Sequence, residues 1–178
     1  MRVVCFAGHS GVGKTTLIEG LIPAMMAHGL RVSVVKHAHH ELAFDHPGKD
    51  TYRHREAGAF EVVAASPGRL VLMRELEQTA QLTVHQLIAE LCDGVDWVFV
   101  EGFKNSNLSK LELVRGPSEG HRLYPTDPCV VAVVCDDPAW LTEPASRPVL
   151  SLNDAGAVAR WLVHNGDRFD YDPALFDD

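Results

Sequence analysis

Gly8, Gly13, Lys14 and Thr15 stand in the order G-x-x-x-x-G-K-T within GHSGVGKTT (residues 8–16), directly behind the apolar run VVCFA. That order suits a polyphosphate. Backbone N–H groups turn inward around an anion only where side chains stay clear, which asks for glycine at Gly8, Gly11 and Gly13. A helix opening at Lys14 aims its unpaired N–H groups and positive dipole end at the same anion. Lys14 is expected on the β and γ phosphates, Thr15 on Mg²⁺ and Thr16 on the α phosphate. His9, Ser10 and Val12 complete the loop, and His9-Ser10 leaves out the extra lysine of the deviant partition-ATPase type.

Metal-assisted phosphate chemistry also needs an acid at the C-terminal end of a strand beside such a loop. Glu101, closing VDWVFV ahead of Gly102, has that placement, whereas Asp96 enters the same strand at the wrong end and reads as structural. Lys14 and Glu101 are therefore the candidate catalytic pair, and Thr15, Glu101 and Asp45 the candidate magnesium ligands. The segment KHAHHELAFDHPGKD (residues 36–50) gathers His37, His39, His40 and His46 with Asp45 and Asp50. Histidines and carboxylates together admit zinc or nickel, but adjacent His39 and His40 diverge in an extended chain and no cysteine is near. A loop that senses Mg²⁺ and phosphate is the better expectation. Lys49 and Arg53 serve equally well as phosphate contacts or as solvated charges.

No N-K-x-D motif selects guanine. Asp136 and Asp137 leave the strand CVVAVVC on the correct edge for a base contact, and a turn or cap before Pro138 accounts for them as well. The residues alone leave the base open.

These groups need a sheet to hold them. RVVCFA (2–7), RVSVVKH (31–37), VDWVFVEG (95–102), LELVRG (111–116) and CVVAVVC (129–135) read as strands, mostly buried on both faces. Helices are expected over 14–28, over 50–58 with Asp50 as cap, over 83–92 with Thr83 as cap, and after Asn153 or Asp154. EVVAAS and RLVLMRE flank Ser66-Pro67-Gly68 as a hairpin. Alternating strands and helices predict one α/β domain, a P-loop NTPase three-layer fold with a mostly parallel sheet and a local antiparallel hairpin. It is expected to span residues 1–165, with 166–178 (GDRFDYDPALFDD) as a loosely ordered acidic tail.

Composition narrows the classes. In 178 residues, 46% are hydrophobic and 22% charged, an ordinary globular balance. A net charge of −8 argues against broad binding to nucleic acid or anionic membrane. No apolar run is long enough to span a bilayer and no basic leader precedes the loop, so a cytoplasmic location is expected. Cys5, Cys92, Cys129 and Cys135 form no CxxC pair and read as packing residues.

GHSGVGKTTLIEGLIP, VSVVKHAHHELAFDHPGKDTYRHREAGA and VFVEGFK, in that order, resemble the molybdopterin-guanine dinucleotide biosynthesis protein B (MobB) family, from Val3 to about Asn165. The resemblance implies a homodimeric, GTP-binding P-loop protein related to the SIMIBI class. It implies an adaptor that assists a MobA-type guanylyltransferase in converting molybdopterin to molybdopterin guanine dinucleotide, with at most weak hydrolysis of its own. By position it makes Gly8–Thr16 the phosphate loop and Glu101 the second acid, and HPGKDTYR (46–53) becomes a family signature. Two alternatives stand beside it. A nickel metallochaperone would use the histidines but lacks a cysteine motif. A small-molecule kinase would need an arginine-bearing lid, and the basic clusters at 49–55 and 115–122 are thin.

Overall fold

A computed structural model describes residues 1–38, 45–76, 82–117, 122–141 and 146–175. The chain divides into two units, one formed by residues 1–37 and 83–178, the other by residues 38–82. The first carries a six-stranded sheet in the order β2-β5-β1-β6-β7-β8. Its strands are β1 (Arg2–Ala7), β2 (Val32–Lys36), β5 (Trp97–Glu101), β6 (Lys110–Val114), β7 (Val130–Cys135) and β8 (Val149–Ser151). Every neighbouring pair is parallel.

β1 lies between β5 and β6, so strands that follow one another in sequence part to either side of it. That makes its C-terminal end the switch point where α/β sheets bind ligands. The phosphate loop leaves from there. α1 (Lys14–Ala27) and α4 (Ala155–His164) cover one face, closing over Val4, Phe6, Phe99 and Leu111. The other face buries Val3, Cys5, Val98 and Val100 under α3 (Val84–Ala89) and Leu108 of the β5–β6 connection. Burial on both faces is why these strands are continuous apolar runs rather than alternating ones.

The helix starts have local causes. Thr83 and Gln86 form a reciprocal capping box at α3, as Thr83 predicted. Asp154, rather than Asn153, caps α4 by accepting from Ala157 N–H at 2.7 Å. Asp96 accepts from the Arg31 N–H at 2.7 Å, a structural role.

Two expectations need correcting here. β8 was not foreseen, because three half-exposed edge residues carry no periodic signal. The segment after Asn165 also does more than trail. Phe169 is buried against Trp97, with ring centroids 5.4 Å apart, and Arg2 bridges to Asp170. One buried aromatic outweighs its acidic neighbours, so residues 166–171 pack on the core, and 172–175 are exposed.

The 38–82 unit contains α2 (Asp50–Glu56), β3 (Glu61–Ser66) and β4 (Arg69–Arg74). β3 and β4 pair antiparallel as the expected hairpin, in a two-stranded sheet of their own. Lys49, not Asp50, holds the N-cap position of α2. Asp50 instead places its carboxylate in the first turn, where the helix dipole favours it. Among the described residues, no helix is long and apolar enough to cross a membrane.

Candidate functional site

The glycines of the phosphate loop are set by contact as well as by conformation. At Gly8 φ is 141°, and a Cβ there would lie 2.8 Å from the Leu113 carbonyl of β6. At Gly13 φ is 102°, and a Cβ would meet the Arg115 guanidinium at 3.4 Å. At Gly8 the clash with backbone excludes a side chain, whereas at Gly13 the contact is an ordinary one and the positive φ is what favours glycine. Gly11 and Val12 complete the turn between β1 and α1, Thr16 lies in the first turn of α1, and His9, Ser10 and Gly11 are exposed to solvent.

Lys14 folds back over this loop, its ammonium donating to the carbonyls of Gly8 at 2.9 Å and His9 at 2.8 Å. Burial lowers its pKa, the Glu101 carboxylate opposes that, and the ammoniums of Lys36 and Lys104 lower it further. Three lysines thus face one acid, an excess of positive charge suited to a polyanion.

Thr15 Oγ1 donates to Glu101 Oε1 at 2.7 Å. The same oxygen takes the Lys36 ammonium at 3.3 Å, and Lys36 and Glu101 are register partners at the ends of β2 and β5. A hydroxyl and a carboxylate side by side form the hard oxygen set that Mg²⁺ prefers, so the donor chemistry fits that ion. The thiol of Cys5, beneath this corner, donates to the Gly102 carbonyl at 3.0 Å. Burial pushes its pKa up to about 12, so it packs and does not react.

The two aspartates after β7 take separate roles. Asp137 Oδ1 accepts from the Ala139 N–H and caps the 3₁₀ turn Pro138–Trp140. Asp136 is left free of that duty. Its Oδ2 meets Arg115 Nε at 3.5 Å, and its Oδ1 is buried without a hydrogen-bond partner. A buried orphan acceptor costs free energy unless a ligand satisfies it. Arg115 therefore touches both the phosphate loop at Gly13 and the acid at the next strand end but one.

Asp45 belongs to the other unit. There it accepts from Thr51 Oγ1 at 2.9 Å and pairs with Arg55 at 3.3 Å. The His39-His40 pair lies outside the described residues. His37 closes the first unit, its N–H bonded to the Glu101 carbonyl at 3.0 Å and its ring 4.6 Å from that of Phe103.

Sequence reasoning passed over Lys36 and Arg115 as site residues. The available signal at Lys36 was an apolar strand ending in a base, facing another that ends in an acid. It also passed over two buried charges in β6. Lys110 pairs with Asp127 at 2.8 Å, and Glu112 accepts from the N–H groups of Leu123 and Tyr124 at 2.8 and 2.6 Å. Together they pin residues 123–127 to the strand that presents Arg115.

Residues 3–136 match the family described as Molybdopterin guanine dinucleotide synthesis protein B, MobB. The chain belongs to the MobB family. It is 38% identical over 164 residues to the molybdopterin-guanine dinucleotide biosynthesis adapter protein of Escherichia coli (strain K12), covering 90% of this chain and 91% of that one. The adapter protein of the same description in Haemophilus influenzae is 37% identical, with 88% and 87% covered. Among solved structures, Bacillus subtilis MobB superposes with a TM-score of 0.69 at 26% identity, over 97% of this chain and 100% of that one. A MobB protein homolog from Bacillus stearothermophilus gives 0.66 at 26% identity, over 92% and 97%. Membership of MobB sets aside the nickel-chaperone and kinase alternatives, since both relatives are described by molybdopterin-guanine dinucleotide synthesis.

Proposed function

We propose that this chain binds GTP with Mg²⁺ and acts as the adaptor that assists a MobA-type guanylyltransferase in converting molybdopterin to molybdopterin guanine dinucleotide. The adaptor half rests on membership of the MobB family and on the descriptions of its relatives. The nucleotide half is carried by one observation: Thr15 and Glu101 share a 2.7 Å hydrogen bond at the mouth of a loop that admits no Cβ at Gly8 and holds Gly13 at positive φ.

In this reading Lys14 exchanges its loop carbonyls for β- and γ-phosphate oxygens, and the N–H groups from Gly8 to Thr16 cradle the chain of phosphates. Thr15 and Glu101 would hold Mg²⁺, which would supply charge neutralisation to the phosphates. Asp45, with its oxygens engaged by Thr51 and Arg55, keeps a structural place in its own unit. Asp136 reads the base. Its orphan oxygen accepts from guanine, whose N1–H and exocyclic amine offer two adjacent donors, whereas adenine offers no donor at N1.

Hydrolysis is slow without a partner in this reading. The residues around Thr15 supply charge neutralisation, while P-loop enzymes owe most of their rate to a positioned water and an inserted arginine. The homodimer finds support in the β3–β4 hairpin, where Val63, Leu70 and Leu72 are exposed apolar residues on a two-stranded sheet. A cytoplasmic location agrees with the cofactor-assembly role.

The test is reconstitution. Purified guanylyltransferase, molybdopterin and limiting GTP are combined with and without this chain, and product dinucleotide is quantified. The reading expects a severalfold gain that Lys14→Ala abolishes. Equal yield in all three arms would overturn the adaptor role.

A further inference from the structure

We propose that Lys36 is the residue by which the site distinguishes a nucleoside triphosphate from a diphosphate. The inference rests on the nucleotide-binding reading above and names a further residue in it.

Three observations lead there. Lys36 and Thr15 both bond Glu101 Oε1, at 3.3 and 2.7 Å, so the ammonium stands at the corner where the loop hydroxyl and the acid meet. The Lys36 side chain is 55% exposed while that of Glu101 is only 12% exposed. An ion pair with one arm so open adds little to stability, so stability alone is a poor reason for this contact. Finally, Lys36 is within electrostatic reach of Lys14, helping Lys104 to lower its pKa. The two ammoniums share the Glu101 carboxylate as their nearby anion, and a bound polyanion would add a second one.

The consequence follows from where the charges of a bound nucleotide fall. The glycine loop and Lys14 surround the β phosphate. Thr15 and Glu101 would hold a Mg²⁺, whose charge would compete with the ammonium for Glu101 Oε1. Lys36 would then need another acceptor. The oxygens of a γ phosphate would supply one, and a diphosphate would supply none. Paired with Glu101, the ammonium stands where the metal's charge would act. In the triphosphate complex it becomes a third cationic contact beside Lys14 and Mg²⁺.

The experiment measures GTP and GDP binding by calorimetry, with Mg²⁺ present, for wild type, Lys36→Met and Lys36→Arg. Lys36→Met is expected to weaken GTP about tenfold while leaving GDP within about twofold, corresponding to roughly 1.4 kcal/mol confined to the γ phosphate. Lys36→Arg is expected to recover most of the GTP affinity, since it restores the charge. Unchanged GDP binding serves as the control for folding. An equal loss for GTP and GDP, or no loss for either, would overturn the role of Lys36 and leave the nucleotide site standing. If wild type bound neither nucleotide, both the site and the role of Lys36 would fall.

Discussion

Arg115 and Asp136 form an ion pair at 3.5 Å, and the same guanidinium lies where a Cβ on Gly13 of the phosphate loop would meet it, at 3.4 Å. One side chain therefore links the loop for the phosphates to the acid placed for the base. β6 delivers it, with Lys110 and Glu112 fixing residues 123–127 to that strand through Asp127 and the N–H groups of Leu123 and Tyr124. The loop and Asp136 follow β1 and β7, the two neighbours of β6 in the sheet.

Asp136→Asn should invert part of the base preference. The amide supplies a donor where the carboxylate had only acceptors, matching the 2-oxo group of xanthine in place of the 2-amino group of guanine. GTP affinity is expected to fall by about 2 kcal/mol, roughly thirtyfold, while XTP gains. Competition binding with the two triphosphates measures this. GTP and XTP affinities unchanged from wild type would remove Asp136 from the base site.

Asp127 makes stability depend on acid. Burial alone would raise its pKa, but the Lys110 ammonium and the Cys129 N–H together hold it below the ordinary carboxylate value. Between the folded and unfolded values the unfolded chain carries the extra proton. The contribution is therefore complete above the ordinary aspartate range, and it is lost as pH falls through the lowered folded value. Asp127→Asn leaves Lys110 buried without its counter-charge and should cost about 3 kcal/mol at neutral pH. It should also flatten the acid limb of stability. Urea unfolding from pH 7 downward reads both effects.

Leu70→Glu combined with Leu72→Glu should convert a dimer into monomers, since two like charges then face the partner hairpin across an apolar contact. Sedimentation reports the mass. GTP binding by the monomer should stay near wild type, because the hairpin belongs to the 38–82 unit and the phosphate loop to the other. Dimers that survive both substitutions would move the interface elsewhere.

The loop from Gly8 to Thr15 was legible because its chemistry is local: glycines, a lysine and a hydroxyl within eight residues of one another. Glu101 was legible because an apolar strand ending in an acid points to a sheet edge. Thr83 gave its helix start through a capping box closed by Gln86, three residues on. What escaped was set by contacts between distant segments. Lys36 meets Glu101 only through the register of β2 on β5, and Arg115 reaches Gly13 only because β6 lies beside β1. Lys110 and Glu112 look like solvated charges in KLELVRG until Asp127 and the chain at 123–124 close over them. Phe169 sits in an acidic stretch, and only the pocket beside Trp97 accounts for its burial.

Calorimetry with GTP and ATP, in Mg²⁺ and in chelator, on wild type and Lys14→Ala, tests the central claim most directly. A Mg²⁺-dependent GTP site at one per chain is expected, with ATP at least tenfold weaker. Lys14→Ala should abolish binding while its circular dichroism matches wild type. Binding of ATP as tight as GTP, or of GTP to Lys14→Ala as to wild type, would contradict it.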